Sequence, residues 1–246
     1  MKKTTLKRSD YRFSHTGETK ARSYHTKFTA NRWRSLIWTF EQTIITSIVT
    51  KYFPQGHYRH LDFACGTGRI TTLLAKSATS SIGIDISDDM LQIAKRENAG
   101  PTYICADITK NSVEFDNCFD LITAFRFFPN SQTALRNEAL HQLSTLICAG
   151  GILILNNHKN STSLVYQASR VLKGKRHHAM KHNEVRDLAD SHGFTLKERL
   201  GIGYLPCADR FCWLPTTIAQ PIEKLAQSAR LPPYLASNNI YVMQKL

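Results

Sequence analysis

Two glycines, Gly66 and Gly68, follow the apolar run 58–64 and precede a helical pattern that begins at Arg69. Because glycine has no Cβ, a turn built from it adopts backbone conformations, and allows close ligand approach, that other residues prevent. The start of the following helix offers free N–H groups to a ligand. The pattern therefore predicts a strand-to-helix turn that binds a nucleoside-bearing ligand.

The spacing of these glycines narrows the ligand class. It is Ala64-x-Gly66-x-Gly68, whereas dinucleotide-binding folds use G-x-G-x-x-G, in which the third glycine packs the helix beneath a pyrophosphate. The difference disfavours NAD. Asp85 ends the next β-type run, and a carboxylate at such a strand end can accept both hydroxyls of a ribose. An intact ribose diol is therefore predicted in the ligand.

The segment Asp62-Phe63-Ala64-Cys65-Gly66-Thr67-Gly68 resembles the first motif of the class I S-adenosylmethionine-dependent methyltransferases. The resemblance extends over about residues 58–157 and implies that the chain is an enzyme of this family with S-adenosylmethionine as cofactor. In the family the glycine-rich turn holds the methionine and ribose parts of the cofactor. The resemblance then implies that Asp85 binds the ribose and that Asp107, after the third strand, binds the adenine amino group.

The same resemblance implies the remaining cofactor contacts. Ile86 and Ile108 are suited to sandwich the adenine, and the end of the fourth strand, at Phe125, faces both cofactor and acceptor. Ala64 stands where glycine is commonest; alanine occurs there in the quinone-methyltransferase-like branch, so cofactor binding is expected to be intact. The full expected cofactor set is Asp62, Ala64, Cys65, Gly66, Gly68, Asp85, Ile86, Asp107, Ile108 and Phe125.

Methyl transfer from a sulfonium is an in-line displacement, and a hydroxyl acceptor must also lose its proton. Ligands of open α/β sheets bind at the carboxyl ends of strands. This makes His158, after the fifth strand run, a candidate base or acceptor-orienting residue, and Arg126, after the fourth, a candidate ligand of an anionic acceptor group. The alternatives are a surface-loop histidine and an arginine that pairs with a carboxylate.

The elements that must position these residues alternate β-type runs with helical patterns, which is typical of a parallel sheet with helices on both faces. Helices are expected at 30–51, 69–79, 87–98, 131–147, 161–172, 183–192 and 216–229. Strands are expected at 58–64, 81–86, 102–106, 119–125, 151–157, 194–203 and 238–245. We therefore expect an α/β, class I methyltransferase Rossmann-like fold with a mostly parallel seven-stranded sheet and one antiparallel edge strand.

Residues 1–30 are basic and lack apolar periodicity, so we expect a flexible basic arm, followed by a single methyltransferase domain over 31–246. Two acceptor-side insertions are expected at about 159–182 and 204–236. Both are basic or aromatic, which favours an anionic or sugar-like acceptor.

The formal net charge of +13 makes a polyanionic partner worth weighing. O-methylation of a small molecule or a glycan, including an anionic one, is the leading functional interpretation. RNA methylation is the alternative, motivated by the basic arm, and a non-catalytic cofactor-binding partner protein is the alternative of another class.

The cysteines contain no C-x-x-C pair, and several lie within apolar runs, so we expect neither a disulfide nor a metal site. No segment has the apolar length of a membrane helix, and the first residues lack the apolar core of a signal peptide. These features favour a cytoplasmic protein without stable membrane insertion.

Overall fold

The computed structural model describes residues 11–13, 26, 31–110, 113–163, 166–167, 179–205 and 214–246. The helices over these residues are α1 (Arg32–Tyr52), α2 (Arg69–Ala75), α3 (Asp88–Glu97), α4 (Thr133–Leu146), α5 (His182–Asp190) and α6 (Thr216–Ser228). The strands are β1 (Arg59–Phe63), β2 (Ser80–Asp85), β3 (Thr102–Cys105), β4 (Phe119–Ala124), β5 (Ile147–Asn157), β6 (Phe194–Ile202) and β7 (Asn238–Lys245). Most of the helix expected at 161–172 lies outside the described residues.

The strands form one seven-stranded sheet in the order β3-β2-β1-β4-β5-β7-β6. The first five strands in this order run parallel to their neighbours, whereas β7 is antiparallel to both β5 and β6. The expected mixed sheet, parallel except near one edge, is confirmed. Since β1 to β5 are parallel, the residues that follow them all lie at the carboxyl ends of the strands. This is the edge of the sheet at which the expected site residues lie.

Both faces of the sheet are covered, as the long apolar runs of the central strands predict. In β5 the side chains alternate: Ile152 and Ile154 pack with α1, α2 and α6, and Leu153 and Leu155 pack with α4 and α5. Helix α3 covers Tyr103 of β3. No helix in the described part of the chain has the length and apolar character needed to cross a bilayer.

The expectation that the chain has no disulfide is wrong. Cys118 and Cys148 are disulfide-bonded, with their Cα atoms 5.1 Å apart. The two cysteines flank the paired residues Phe119 and Ile147 at the irregular start of the β4–β5 pairing, where the register shifts before Leu121. Cys65 and Cys105 are free, and Cys207 and Cys212 lie outside the described residues.

A buried histidine crosses the centre of the sheet. His60 of β1 is 0% exposed; its Nδ1 lies 2.9 Å from Ser81 Oγ of β2 and its Nε2 lies 2.8 Å from Thr123 Oγ1 of β4. Burial lowers the pKa of His60 to about 3, so the imidazole is neutral near physiological pH. The side chain therefore links three adjacent strands through neutral hydrogen bonds.

This histidine gives the fold a pH dependence that can be measured. An unfolded His60 takes up a proton as pH falls below about 6.5, whereas the folded one does not until pH is near 3. Its contribution to stability is therefore complete above pH 6.5 and is lost as pH falls from there. From pH 7 to pH 5 we expect the difference in unfolding free energy between wild type and His60→Gln to shrink by about 2 kcal/mol.

Urea denaturation at both pH values checks this. His57→Gln is the matched control, because His57 is exposed, and its difference from wild type should be the same at the two pH values. A constant difference for His60→Gln would mean that the buried imidazole does not resist protonation.

Candidate active site

The glycine-rich turn between β1 and α2 has a left-handed backbone at three positions. The φ angles are +54° at Ala64, +57° at Gly66 and +73° at Gly68, which is also the N-cap of α2. A Cβ on Gly68 would lie 2.8 Å from Cε1 and 2.9 Å from Cζ of Tyr103, so glycine is needed there for packing. A Cβ on Gly66 would have no atom within 4 Å, so this residue borders open space.

Asp62 fixes the glycine-rich turn to α2 and β4. Its Oδ2 accepts hydrogen bonds from the backbone N (3.0 Å) and Oγ1 (2.7 Å) of Thr71 in α2, and its Oδ1 accepts from Thr123 Oγ1 of β4 (2.8 Å). Burial raises the pKa of this carboxyl to about 6, although the hydrogen bonds from both threonines act to lower it. Both oxygens of Asp62 thus already bind protein groups, and the side chain positions the turn.

Asp85, at the end of β2, ties the turn to the neighbouring strand. Its Oδ2 accepts a hydrogen bond from Gly66 N at 2.8 Å and its Oδ1 from Ser87 N at 2.9 Å. Burial raises the pKa of Asp85, against the lowering effect of these backbone hydrogen bonds. The Cys65 thiol packs between the turn and Gly83, and burial together with Asp62 and Asp85 raises its pKa, so it stays protonated.

Asp107 follows β3 at the same edge of the sheet. Its Oδ1 accepts from Thr109 N (3.1 Å) and Thr109 Oγ1 (2.6 Å), and its Oδ2 lies 3.2 Å from Nε of Arg12. Ile86 is 37% exposed, whereas Ile108 is 3% exposed and belongs to the core. Of the two isoleucines expected beside an adenine, only Ile86 presents a large apolar surface.

The described part of the N-terminal arm contacts this edge of the sheet. Tyr11 donates from its backbone N to Gln132 Oε1 and from its hydroxyl to Arg126 O, both at 3.2 Å, and its ring packs edge-on against Phe127. Arg12 also donates to Thr109 Oγ1 at 2.7 Å. Around Tyr11 the arm is thus attached to the domain, a contact that composition did not predict.

Arg126 pairs with a carboxylate, which is one of the two roles expected for it. Its Nη2 lies 3.1 Å from both carboxylate oxygens of Glu41, which is 1% exposed on α1. Asn238 Nδ2 of β7 donates to the same carboxylate at 2.9 Å, and Arg126 N donates to Asn156 Oδ1 of β5. The φ of Arg126 is +63°, so these contacts hold a strained backbone.

His158 directly follows β5, close to this ion pair. Its side chain is part-buried, and its Nδ1 is enclosed without a hydrogen-bond partner among the described residues. Burial, with the charges of Arg126, Lys159 and Arg34, holds the pKa of His158 well below its usual range. The imidazole is therefore neutral and only weakly basic.

Sequence reasoning missed several residues of this region. Glu41 carried a usable signal, because it is a lone acid within the apolar periodicity of α1, between Phe40 and Ile45. Tyr11, Arg12 and Lys159 carried none, since their importance depends on contacts between distant parts of the chain. The side chain of Phe125 packs into the core beneath α1, and its expected place near the cofactor stays a prediction.

All the expected site residues lie in the turn after β1 or at the ends of β1 to β5, which the topology brings to one edge of the sheet. Within the described ranges, no group of three or more His, Cys, Asp or Glu side chains is arranged to hold a metal ion.

Comparison with known proteins finds a methyltransferase domain in the chain. Residues 61–155 match the family described as "Methyltransferase domain". The chain is 28% identical over 170 residues to a ubiquinone biosynthesis O-methyltransferase of Coxiella burnetii, covering 61% of this chain and 69% of that protein. Its structure matches magnesium protoporphyrin IX methyltransferase of Synechocystis, solved with bound SAH, with a TM-score of 0.61, 16% identity and 88% of each chain covered. Residues 61–155 therefore form a methyltransferase domain, and the chain shares the fold of class I S-adenosylmethionine-dependent methyltransferases.

Further relatives of this methyltransferase act on different acceptors. It is 27% identical over 134 residues to a malonyl-(acyl-carrier protein) O-methyltransferase of Bacillus cereus, covering 52% of this chain and 47% of that protein. It also matches the N-methyltransferase NodS of Bradyrhizobium japonicum, with a TM-score of 0.55, 15% identity and 84% and 87% of the chains covered. At such low identity the structural likeness shows the fold alone, and S-adenosylmethionine is the cofactor that the family shares.

The turn of this methyltransferase offers a matched pair of substitutions. Gly66→Ala places a methyl group in the open space beside the turn and costs about 1 kcal/mol of backbone strain. We expect it to fold but to bind S-adenosylhomocysteine about tenfold more weakly or worse, which corresponds to at least about 1.4 kcal/mol. Ala64→Gly relieves a left-handed alanine and should keep wild-type affinity.

Calorimetric titration with S-adenosylhomocysteine, alongside thermal denaturation, measures both effects. Equal affinities for Gly66→Ala and wild type would show that the cofactor does not approach this glycine.

The Glu41–Arg126 pair is tested by a double-mutant cycle. Glu41→Leu leaves Arg126 without its buried carboxylate and should lower the unfolding free energy by about 3 kcal/mol, as should Arg126→Leu for the opposite reason. The double variant should lose clearly less than the sum, because neither charge is then left alone. Strictly additive losses in urea denaturation would contradict the pairing.

Proposed function

We propose that this methyltransferase O-methylates a small-molecule or glycan acceptor, with the cofactor at the ends of β1 to β3 and the acceptor at the ends of β4 and β5. The assignment of separate cofactor and acceptor regions rests on one observation. Open space beside Gly66 and a polar region around His158 lie at the same edge of the sheet. The first suits a nucleoside, and the second suits a polar acceptor group.

On the cofactor side, the residues fit S-adenosylmethionine. Gly66 leaves room for close approach, and Asp85, already oriented by two backbone N–H groups, has lone pairs left for ribose hydroxyls. Asp107 is oriented in the same way by Thr109, and Ile86 offers an exposed apolar face for the adenine. When bound, the cofactor supplies an electrophilic methyl group on a sulfonium.

Other residues of the expected cofactor set support the cofactor site by positioning the residues around it. Asp62 fixes α2 against the turn, and Gly68 makes room for Tyr103. Cys65, Ile108 and Phe125 fill the space behind the turn and strand ends. This rigid support lets the cofactor bind without reorganising the chain, which favours methyl transfer because orientation is a large part of the barrier.

On the acceptor side, His158 presents a neutral, enclosed imidazole, and Arg126 is held by Glu41. His158 is suited to orient an acceptor by a hydrogen bond. O-methylation is supported by two curated relatives that are named O-methyltransferases.

The proposal predicts where a transferred methyl group goes. With methyl-labelled S-adenosylmethionine and a metabolite extract, we expect label in the small-molecule fraction, on oxygen, as determined by mass spectrometry and NMR. Asp85→Asn should weaken S-adenosylhomocysteine binding about 10- to 100-fold, because a charge-assisted hydrogen bond contributes about 1.5–3 kcal/mol.

Asp116→Asn is the control, because Asp116 is an exposed acid away from these strand ends, and its affinity should equal that of wild type. Label confined to RNA would support the RNA alternative instead. Label on nitrogen would contradict O-methylation.

A further inference from the structure

Lys159 carries a charge that no carboxylate in the described part of the chain neutralises. It follows His158 after β5, its side chain is part-buried, and its Nζ donates to Asn130 Oδ1, a neutral amide oxygen. Among the described residues no carboxylate lies within ion-pair distance of it. Burial of an ammonium group without a counter-ion is unfavourable, so this lysine suits a site that an anion completes.

The groups around Lys159 extend the positive field. Burial and then the charge of Arg136 lower the pKa of Lys159, and burial with the charges of Arg126, Lys159 and Arg34 lowers that of His158. Within the described ranges two acids act on these groups: Glu41 is held by Arg126 and Asn238, and Glu184 acts on Arg136. An uncharged ligand would leave this excess in place, whereas an anion would offset it.

The enclosed Nδ1 of His158 is a second, independent feature of the same place. It has no hydrogen-bond partner among the described residues, although it is shielded from solvent. Buried polar atoms are normally paired, so an unpaired one beside an unneutralised lysine indicates a polar ligand. His158 and Lys159 are consecutive, so both lie where β5 opens onto the site.

The methyl-transfer reaction also favours an anion beside Lys159. A sulfonium brought to this edge adds another positive charge to the cluster, and a negative acceptor between the two offsets both. A hydroxyl acceptor needs a base to take its proton, and the weakly basic His158 serves poorly. A carboxylate is already ionised near neutral pH and needs no base.

We propose that the acceptor is an organic acid whose carboxylate is bound by Lys159 and itself receives the methyl group, so that the product is a methyl ester. This rests on the proposed function and narrows its substrate class. One carboxylate oxygen forms the new O–CH₃ bond as the S–CH₃ bond of S-adenosylmethionine breaks. The electron pair of that bond stays on sulfur, giving S-adenosylhomocysteine, and no proton is released.

Treatment with alkali distinguishes a methyl ester from a methyl ether or a methylamine. The small-molecule fraction, labelled from methyl-labelled S-adenosylmethionine in a metabolite extract, is treated with mild alkali. A methyl ester releases its label as volatile methanol, whereas methyl ethers and methylamines keep theirs. We expect most of the label to become volatile.

Lys159→Met and Lys159→Arg test the residue. The acid recovered by hydrolysing the product is titrated into protein saturated with S-adenosylhomocysteine, so that binding is measured without turnover. We expect Lys159→Met to weaken acid binding about 10- to 100-fold, the loss of one charge-assisted contact, and Lys159→Arg to restore much of it. Lys224→Met makes the same change at an exposed lysine of α6 and should bind as wild type does.

Different results would contradict the carboxylate acceptor, the role of Lys159 and the proposed function. An alkali-stable labelled product would overturn the carboxylate acceptor and leave O-methylation standing. Unchanged acid binding by a folded Lys159→Met protein would overturn the role of Lys159. The absence of any labelled small molecule, with S-adenosylhomocysteine still bound, would overturn the proposed function and this proposal with it.

Discussion

The buried carboxylate of Asp62 is the interaction on which the cofactor half of the protein depends. It reaches from β1 to the first turn of α2 through Thr71 and to β4 through Thr123. The turn between these elements has three left-handed residues, one of them an alanine, and such a backbone persists only when its ends are held. Asp62 holds both ends, and Asp85 then fastens Gly66 to β2.

The region proposed to bind the acceptor is organised by a different constraint, the pairing of a buried acid with a cation. Glu41 joins α1 to the end of β4 through Arg126 and to the start of β7 through Asn238. Because one carboxylate satisfies both groups, three remote segments meet beside the end of β5. Glu41 neutralises Arg126, whereas the hydrogen-bond partner of Lys159 among the described residues is a neutral amide oxygen of Asn130.

The two halves meet where Tyr11 and Arg12 contact the sheet edge. Arg12 lies against Asp107 on the cofactor side, and the Tyr11 hydroxyl binds Arg126 O on the acceptor side. Asn130, which accepts from Lys159, also donates to the Tyr11 hydroxyl at 3.5 Å. A short piece of the arm thus contacts both halves, so the proposed cofactor and acceptor sites share a structural element.

Much of this protein was determined by local sequence. The strands and most of the helices follow from apolar periodicity, and the glycine-rich turn follows from the residue types at Ala64, Gly66 and Gly68, because these signals act within a few residues. Tertiary structure alone decided that Cys118 bonds to Cys148, that Glu41 pairs with Arg126 and that Arg12 reaches Asp107. Each of these contacts joins segments far apart in sequence, and it depends on strand order and register, which no local pattern encodes.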